Sequence, residues 1–180
     1  EELQATLGTD EGYLKLATLE GAIFAVFATA GSARAYRLDI DPEALEEEVD
    51  ALRATIAYVE GGQTLTFPFD IERSRALYRS LFDPVDDQLA SLRHLVFEPD
   101  GAMLRLPANL LVRDDDSVDR YIERITQGGD EYDFTGTNWL GRAVQISTAV
   151  SPSAFRDARN APRSSAQHEY IGFGENTPLT

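Results

Sequence analysis

The apolar run AIFAVFA, residues 22–28, lies between Gly21 and Gly31 and narrows the possible folds more than any other stretch. It is far shorter than the ~20 residues a membrane-spanning helix needs, and no basic-apolar-small leader precedes it. Short, rich in Phe, Ile and Val, and apolar on both faces, it reads as a central strand covered on both sides. SARAYRLDI, 32–40, follows Gly31 and alternates enough to serve as its hairpin partner. Ahead of the run, residues 1–20 read as a short helix or linker, with Leu3, Leu7, Leu14 and Leu16 around Gly8 and Gly12.

Helices are announced by their caps. Asp41-Pro42 places a cap residue before a proline at the first helical position, and Glu43, Glu46, Glu47 and Glu48 follow where the helix dipole favours negative charge. Leu45, Val49, Leu52, Ile56 and Val59 then recur on one face, and Gly61-Gly62 reads as the end of that helix. DIERSRALYRSLFDPVDDQLASL, 70–92, holds a helix to about Phe82 and a second restarted by Asp83-Pro84, with Val85, Leu89 and Leu92 inward. His94 to Pro99 reads as a strand, Pro99-Asp100-Gly101 as a turn, Met103 to Leu106 as a return strand, and Pro107 as the start of a short helix. Residues 113–138 are polar and read as a long surface loop. RAVQIST, 142–148, alternates as a strand, and Ser151-Pro152 caps a helix through about Arg159. Residues 160–167 read as a loop and HEYIGFGE, 168–175, as a last strand.

Strands alternating with helices give an α/β class with a largely parallel sheet and an N-terminal hairpin. The last strand ends just short of Thr180 without a covering helix, so the fold is expected to continue beyond this chain. Hydrophobic residues at 43% exclude global disorder. A formal charge of −15, from 31 acidic against 16 basic side chains, argues against nucleic-acid binding through a basic patch. Zero Cys excludes disulfides, thiolate metal sites and a cysteine nucleophile on these residues. Residue 1 is Glu, so an upstream segment and the localisation stay open, with the cytoplasm favoured and no membrane association expected.

No catalytic constellation stands out. Asp114-Asp115-Asp116 reads as a solvated run rather than a cation site. Asp39, Asp41 and Glu43 fail as a calcium loop, because Ala44 stands where Gly is needed and Pro42 intervenes. His94 and His168 are the only imidazoles, and each reads as a strand-start histidine at the surface. A triad of His168 with Ser164 or Ser165 is disfavoured, since those serines lie in the 160–167 loop. Gly172-x-Gly174 is too short for a nucleotide-binding motif. Trp139, Phe24, Phe27, Tyr78 and Phe97 read as core.

Several stretches nonetheless resemble one family collinearly. ALYRSLFDPVDDQL, 76–89, is similar to a Leu-Tyr…Leu…Pro segment through Leu77, Tyr78, Leu81 and Pro84. LVFEPDGAMLRLPANLLV, 95–112, carries the most recognisable signature through Pro99, Asp100, Gly101, Leu104, Leu106 and Pro107, with Ala108 where an aromatic is usual. NWLGRAVQISTAVSPSAF, 138–155, and YIGFGENTP, 170–178, extend the likeness, and the helix at 42–59 fits its start. Together these resemble the N-terminal part of a CHAT domain, a caspase-like cysteine peptidase family of bacteria related to separases and often fused to tetratricopeptide repeats.

The resemblance implies that all 180 residues are the first portion of one caspase-like domain. It also implies that a Cys-His dyad lies C-terminal to Thr180, so no catalytic, substrate or metal residue is assigned here and no cofactor is required. Expected partners are a protein or peptide substrate, the C-terminal remainder of the domain, and tetratricopeptide repeats. The alternatives are a non-catalytic CHAT-like interaction module, or an unrelated α/β domain sharing the Pro-Asp-Gly/Leu-Pro pattern.

Overall fold

The computed structural model describes residues 2–162. After one 3-10 turn at Gln4–Thr6, the chain enters strand β1 (Glu11–Leu19) and returns as β2 (Ala22–Thr29) and β3 (Ala33–Arg37). Residues 1–20 are therefore not a helix. Leu14 and Leu16 alternate with Tyr13 and Lys15, and this period-2 stretch is paired on both sides, which outweighs any local helical preference. Glu20 and Gly21 close the β1–β2 hairpin with φ of 49° and 78°, the mirror-image turn whose twist matches paired strands.

Helix α1 (Pro42–Ile56) starts as its cap demands, with the Asp41 carboxylate accepting from the Ala44 amide at 2.8 Å. Its inward stripe is Leu45, Val49 and Leu52, all buried. Their burial contributes about 5–9 kcal/mol gross, largely offset by the entropy of ordering the helix. The helix stops at Ile56. Gly61-Gly62 is instead the turn between β4 (Tyr58–Glu60) and β5 (Gln63–Leu65), with φ of 58° and 81°. A Gly-Gly pair supplies two positive φ angles without strain, as a two-residue hairpin requires.

Helix α2 (Ile71–Phe82), capped by Asp70, is followed by the Asp83–Val85 turn and α3 (Asp86–Leu89), which bring in Val85, Leu89 and Leu92. Strand β6 (His94–Glu98) comes next. No return strand follows it: residues Gly101–Arg105 and Ala108–Leu110 form 3-10 turns. Both sides of β6 are already occupied by parallel neighbours, so β6 itself offers no free edge to an antiparallel return. Residues 113–138 are also more than a loop. They hold α4 (Asp115–Thr126), capped by the Asp114 carboxylate on the Ser117 amide, and Val118, Tyr121, Ile122 and Ile125 pack with Ile71, Val112, Phe134 and Trp139. Helix α5 (Leu140–Ala143), strand β7 (Gln145–Thr148) and α6 (Pro152–Asn160), capped by Ser151, complete the described chain. The strand expected at 168–175, with His168, Ser164, Ser165, Gly172 and Gly174, lies outside the described residues.

The sheet runs β3-β2-β1-β6-β7. The β1–β2–β3 side is antiparallel and the β1–β6–β7 side parallel, a mixed α/β sheet flanked by helices and consistent with a caspase-like fold. One face carries Leu14, Leu16, Phe27, Leu95 and Phe97 against α1 and α2 in the main core. The opposite face is covered more thinly, by Leu3, Leu7 and Phe155 over Tyr13, Ala28 and Val96. On that side β2 leaves Val26 at 42% exposure, so AIFAVFA is fully covered on one face only. Phe27, Tyr78 and Phe97 are core, whereas Phe24 and Trp139 are half-buried.

Candidate functional site

In open α/β sheets the loops that meet ligands leave the carboxyl ends of the parallel strands, where the chain order switches direction. Here the switch falls between β1 and β6. Strand β6 ends in Glu98 and passes through Pro99-Asp100-Gly101, and Gly101 adopts φ 55°. The Asp100 carboxylate accepts from the Thr18 amide at 2.6 Å and so ties this exit to β1. Burial pushes the Asp100 carboxyl up, but the amides of Thr18 and Gly101 and the Thr18 hydroxyl outweigh it and hold it below its ordinary value. Arg105, closing the turn, reaches Asp50 at 2.7 Å and Glu46 at 3.0 Å on α1, and Arg53 of α1 donates back to the Arg105 carbonyl at 2.5 Å. The Pro-Asp-Gly segment is thereby fixed on two sides.

Two hollows flank this fixed segment. A crevice of about 290 Å³ opens between it and the end of β7, lined by Phe97, Met103, Leu106, Asn109, Ile146 and Thr148. A second, of about 410 Å³, lies towards α1 and includes Thr18, Glu46, Asp100 and Arg105. The larger concavity of about 620 Å³ along Arg37, Leu38, Asp39, Ile40 and Asp41 lies at the same end of the sheet but beside the edge strand β3, two strands from the β1–β6 switch. We place the candidate site at the first crevice, because mostly apolar walls with a few backbone and amide groups suit an extended chain.

The thinly covered face of the sheet carries a buried carboxylate and a line of polar contacts. Glu98, 6% exposed, accepts from the Tyr13 hydroxyl at 2.5 Å and pairs with Lys15; burial first, then Glu98, pushes the Tyr13 phenol up. At the amino ends of the strands, Glu11 Oε1 lies 2.8 Å from His94 Nδ1, and His94 Nε2 lies 2.7 Å from Ser147 Oγ. His94 does start β6, but its side chain is mostly covered rather than a free surface imidazole. Arg159 of α6 reaches Glu11 at 2.5 Å. That guanidinium holds the Glu11 carboxyl down at about 2 against burial, helped by the Gly8 amide and His94.

A carboxylate, an imidazole and a hydroxyl in line are the ordering of an acyl-transfer triad. Ser147 sits inside a strand, however, where backbone N–H groups lie in the sheet plane while the side chain stands perpendicular to it. No oxyanion would be received there. The chain of bonds instead fastens α6 across β1, β6 and β7. Sequence reading missed it because no local motif joins residues 83 and 53 positions apart.

Asp114 and Asp115 of the Asp114-Asp115-Asp116 run are likewise structural. Asp114 caps α4 and accepts from the Asn138 amide at 2.5 Å, and Asp115 pairs with Arg75 at 2.8 Å. Asp41 caps α1. Among the described residues no group of three or more His, Cys, Asp or Glu side chains gathers to hold a metal ion, and no helix is long and apolar enough to cross a membrane.

A family model, the CHAT domain, matches residues 72–179. The chain belongs to the CHAT domain family. No curated protein and no solved structure gave a match. CHAT domains are a caspase-like, peptidase-related family, and the match starts in α2 and takes in β6, the Pro-Asp-Gly turn, β7 and α6. The matched region thus includes the segment that walls the crevice.

Acid should loosen the fastening of α6. The Glu11 carboxyl lies near 2 in the folded chain against an ordinary 4.5. Its contribution is therefore fully present above about pH 4.5 and is lost as pH falls from there towards 2, by roughly 2–3 kcal/mol. Urea unfolding across that window should show a shallower loss for Glu11→Gln than for the natural chain. Parallel pH profiles would show that the Arg159–Glu11–His94 contacts carry no stability.

Proposed function

We propose that this CHAT domain is the N-terminal scaffold of a cysteine endopeptidase, providing the first strands, their covering helices and one wall of the substrate groove. The observation that supports this most is the crevice at the carboxyl ends of β6 and β7, walled by a segment that Asp100 and Arg105 fix in place. An extended peptide lying there would meet a preorganised surface rather than a loop that must order on binding. The 180 residues contain no cysteine, so the nucleophile this reading requires is outside them, as is its histidine. In such a site imidazole takes the thiol proton, the thiolate attacks the scissile carbonyl, and backbone amides receive the oxyanion. The imidazolium returns the proton to the departing amine, and water then releases the acyl group from sulfur. Protein or peptide substrates and the rest of the domain are the partners this reading needs.

The test compares the 180-residue chain with the product of the full reading frame on denatured protein substrates. We expect no cleavage by the chain alone, and cleavage by the full product that iodoacetamide abolishes. Cleavage by the chain alone would overturn the reading. So would a full product that binds unfolded protein without cutting it, which would make this CHAT domain an interaction module.

A further inference from the structure

The β4–β5 hairpin and the Glu43, Glu47 and Ala54 positions of α1 serve nothing described so far. Tyr58 and Phe67 are 45% and 48% exposed. Their ring centroids stand 6.4 Å apart at 57°, and with Ala54 and Thr55 they bound an apolar hollow of about 300 Å³. The hollow is preformed: the Phe67 amide donates to the Thr55 carbonyl at 2.7 Å, and the Tyr132 hydroxyl donates to the Thr66 carbonyl at 3.1 Å. Two large rings held half-open on a rigid support leave apolar surface in water, which marks a contact site when polar groups rim it.

An acidic stripe leads up to the hollow. Glu43, Glu47, Asp50 and Ala54 follow at spacings of 4, 3 and 4 along α1, which puts them in one outward stripe leading to the hollow. Asp50 is engaged by Arg105. Glu43 and Glu47 are exposed and have no ion-pair partner among the described residues. Glu47 lies about 10 Å along the helix from Ala54.

We propose that this surface docks a basic segment of a partner protein, with one arginine or lysine seated in the hollow against the exposed faces of Tyr58 and Phe67 and a second cation about 10 Å away at Glu47. The argument is charge complementarity at two ranges. Aromatic faces attract a cation within about 6 Å of the ring, and the acidic stripe on a chain of net charge −15 draws basic segments in from further away. A wholly apolar partner would leave Glu43 and Glu47 facing nothing, and an acidic one would be repelled.

The probe is a fluorescein-labelled glycine-serine peptide with arginines spaced three residues apart, titrated with the full chain and read by anisotropy. Phe67→Leu keeps the hollow apolar and removes a π face, and should weaken binding about threefold to tenfold. Glu43→Lys with Glu47→Lys should weaken it further and flatten its salt dependence. Asp119→Lys with Glu123→Lys makes the same charge change on α4 and should weaken binding only slightly. Equal losses for the α1 and α4 pairs would reduce the effect to net charge and overturn the proposal. Unchanged affinity in Phe67→Leu, or equal binding of a glutamine-substituted peptide, would overturn it as well.

Discussion

Replacing Leu52 with aspartate is expected to detach α1 from the sheet. Leu52 is completely buried, between Val49 and the main core. Truncation to alanine would remove contacts and leave a cavity, at about 2–5 kcal/mol. Aspartate adds a carboxylate with no partner in an apolar site, so the helix would have to lift off or the group take up a proton. Against a typical domain stability of about 5–15 kcal/mol, the combined loss is enough to unfold much of the population. The effect should also reach the Pro-Asp-Gly segment, because Arg53, Glu46 and Asp50 on α1 hold Arg105. Urea denaturation followed by circular dichroism would show the midpoint collapsing for Leu52→Asp and falling by less for Leu52→Ala. A midpoint within error of the natural chain would mean that α1 does not depend on this stripe.

Gly12→Val should also destabilise the fold, by less and for the opposite reason. Gly12 faces the main core from β1, and a Cβ built there would lie 2.4 Å from the Leu92 methyl and 3.0 Å from the Phe27 ring. Leu92 could swing aside, but Phe27 is fully buried and the ring has nowhere to go. Overpacking of this kind costs typically 1–3 kcal/mol. The gain from stiffening the unfolded chain returns about 0.4–1 kcal/mol, so the net remains a loss. Thermal melts should drop by several degrees for Gly12→Val and by less for Gly12→Ala. A rise in melting temperature would show that the pocket around Phe27 has slack.

What the sequence revealed divides along the line between local and non-local causes. Asp41, Asp70 and Ser151 each cap the helix that they announce, because a cap is a bond to an amide three residues on. The Pro99-Asp100-Gly101 turn was legible from its turn residues alone, although the Asp100 carboxylate binds Thr18, 82 positions away. Helix α4 was missed: Asp114 and the 118, 121, 122, 125 stripe signal it, but the polar stretch with its run of three aspartates reads as a surface loop. The turn at Gly61-Gly62 was placed correctly and assigned to the wrong element, since a helix end and a mirror-image hairpin both ask for glycine. β1 and the missing return strand were beyond local reading. Whether a stretch pairs depends on which edges of the sheet are free, and the β6 edges are taken by residues remote in sequence. Glu11, His94 and Ser147 failed to show as a unit for that reason alone. The crevice is legible in its floor, where Pro99 to Pro107 stand together, but not in Ile146 and Thr148, which parallel pairing brings across.

The strand order also sets a timetable for synthesis. β1, β2 and β3 are consecutive and pair locally, so this meander closes early. The other side of β1 waits for β6, and Glu11 and His94 are 83 positions apart. At about 5–20 residues per second, the ribosome needs roughly 4–17 s to supply that neighbour. Throughout the interval an apolar strand holds an unpaired row of amides and carbonyls next to a nascent chain. Chaperone occupancy on stalled ribosomes should therefore be high once β1 has emerged, and should fall once β6 has cleared the exit tunnel.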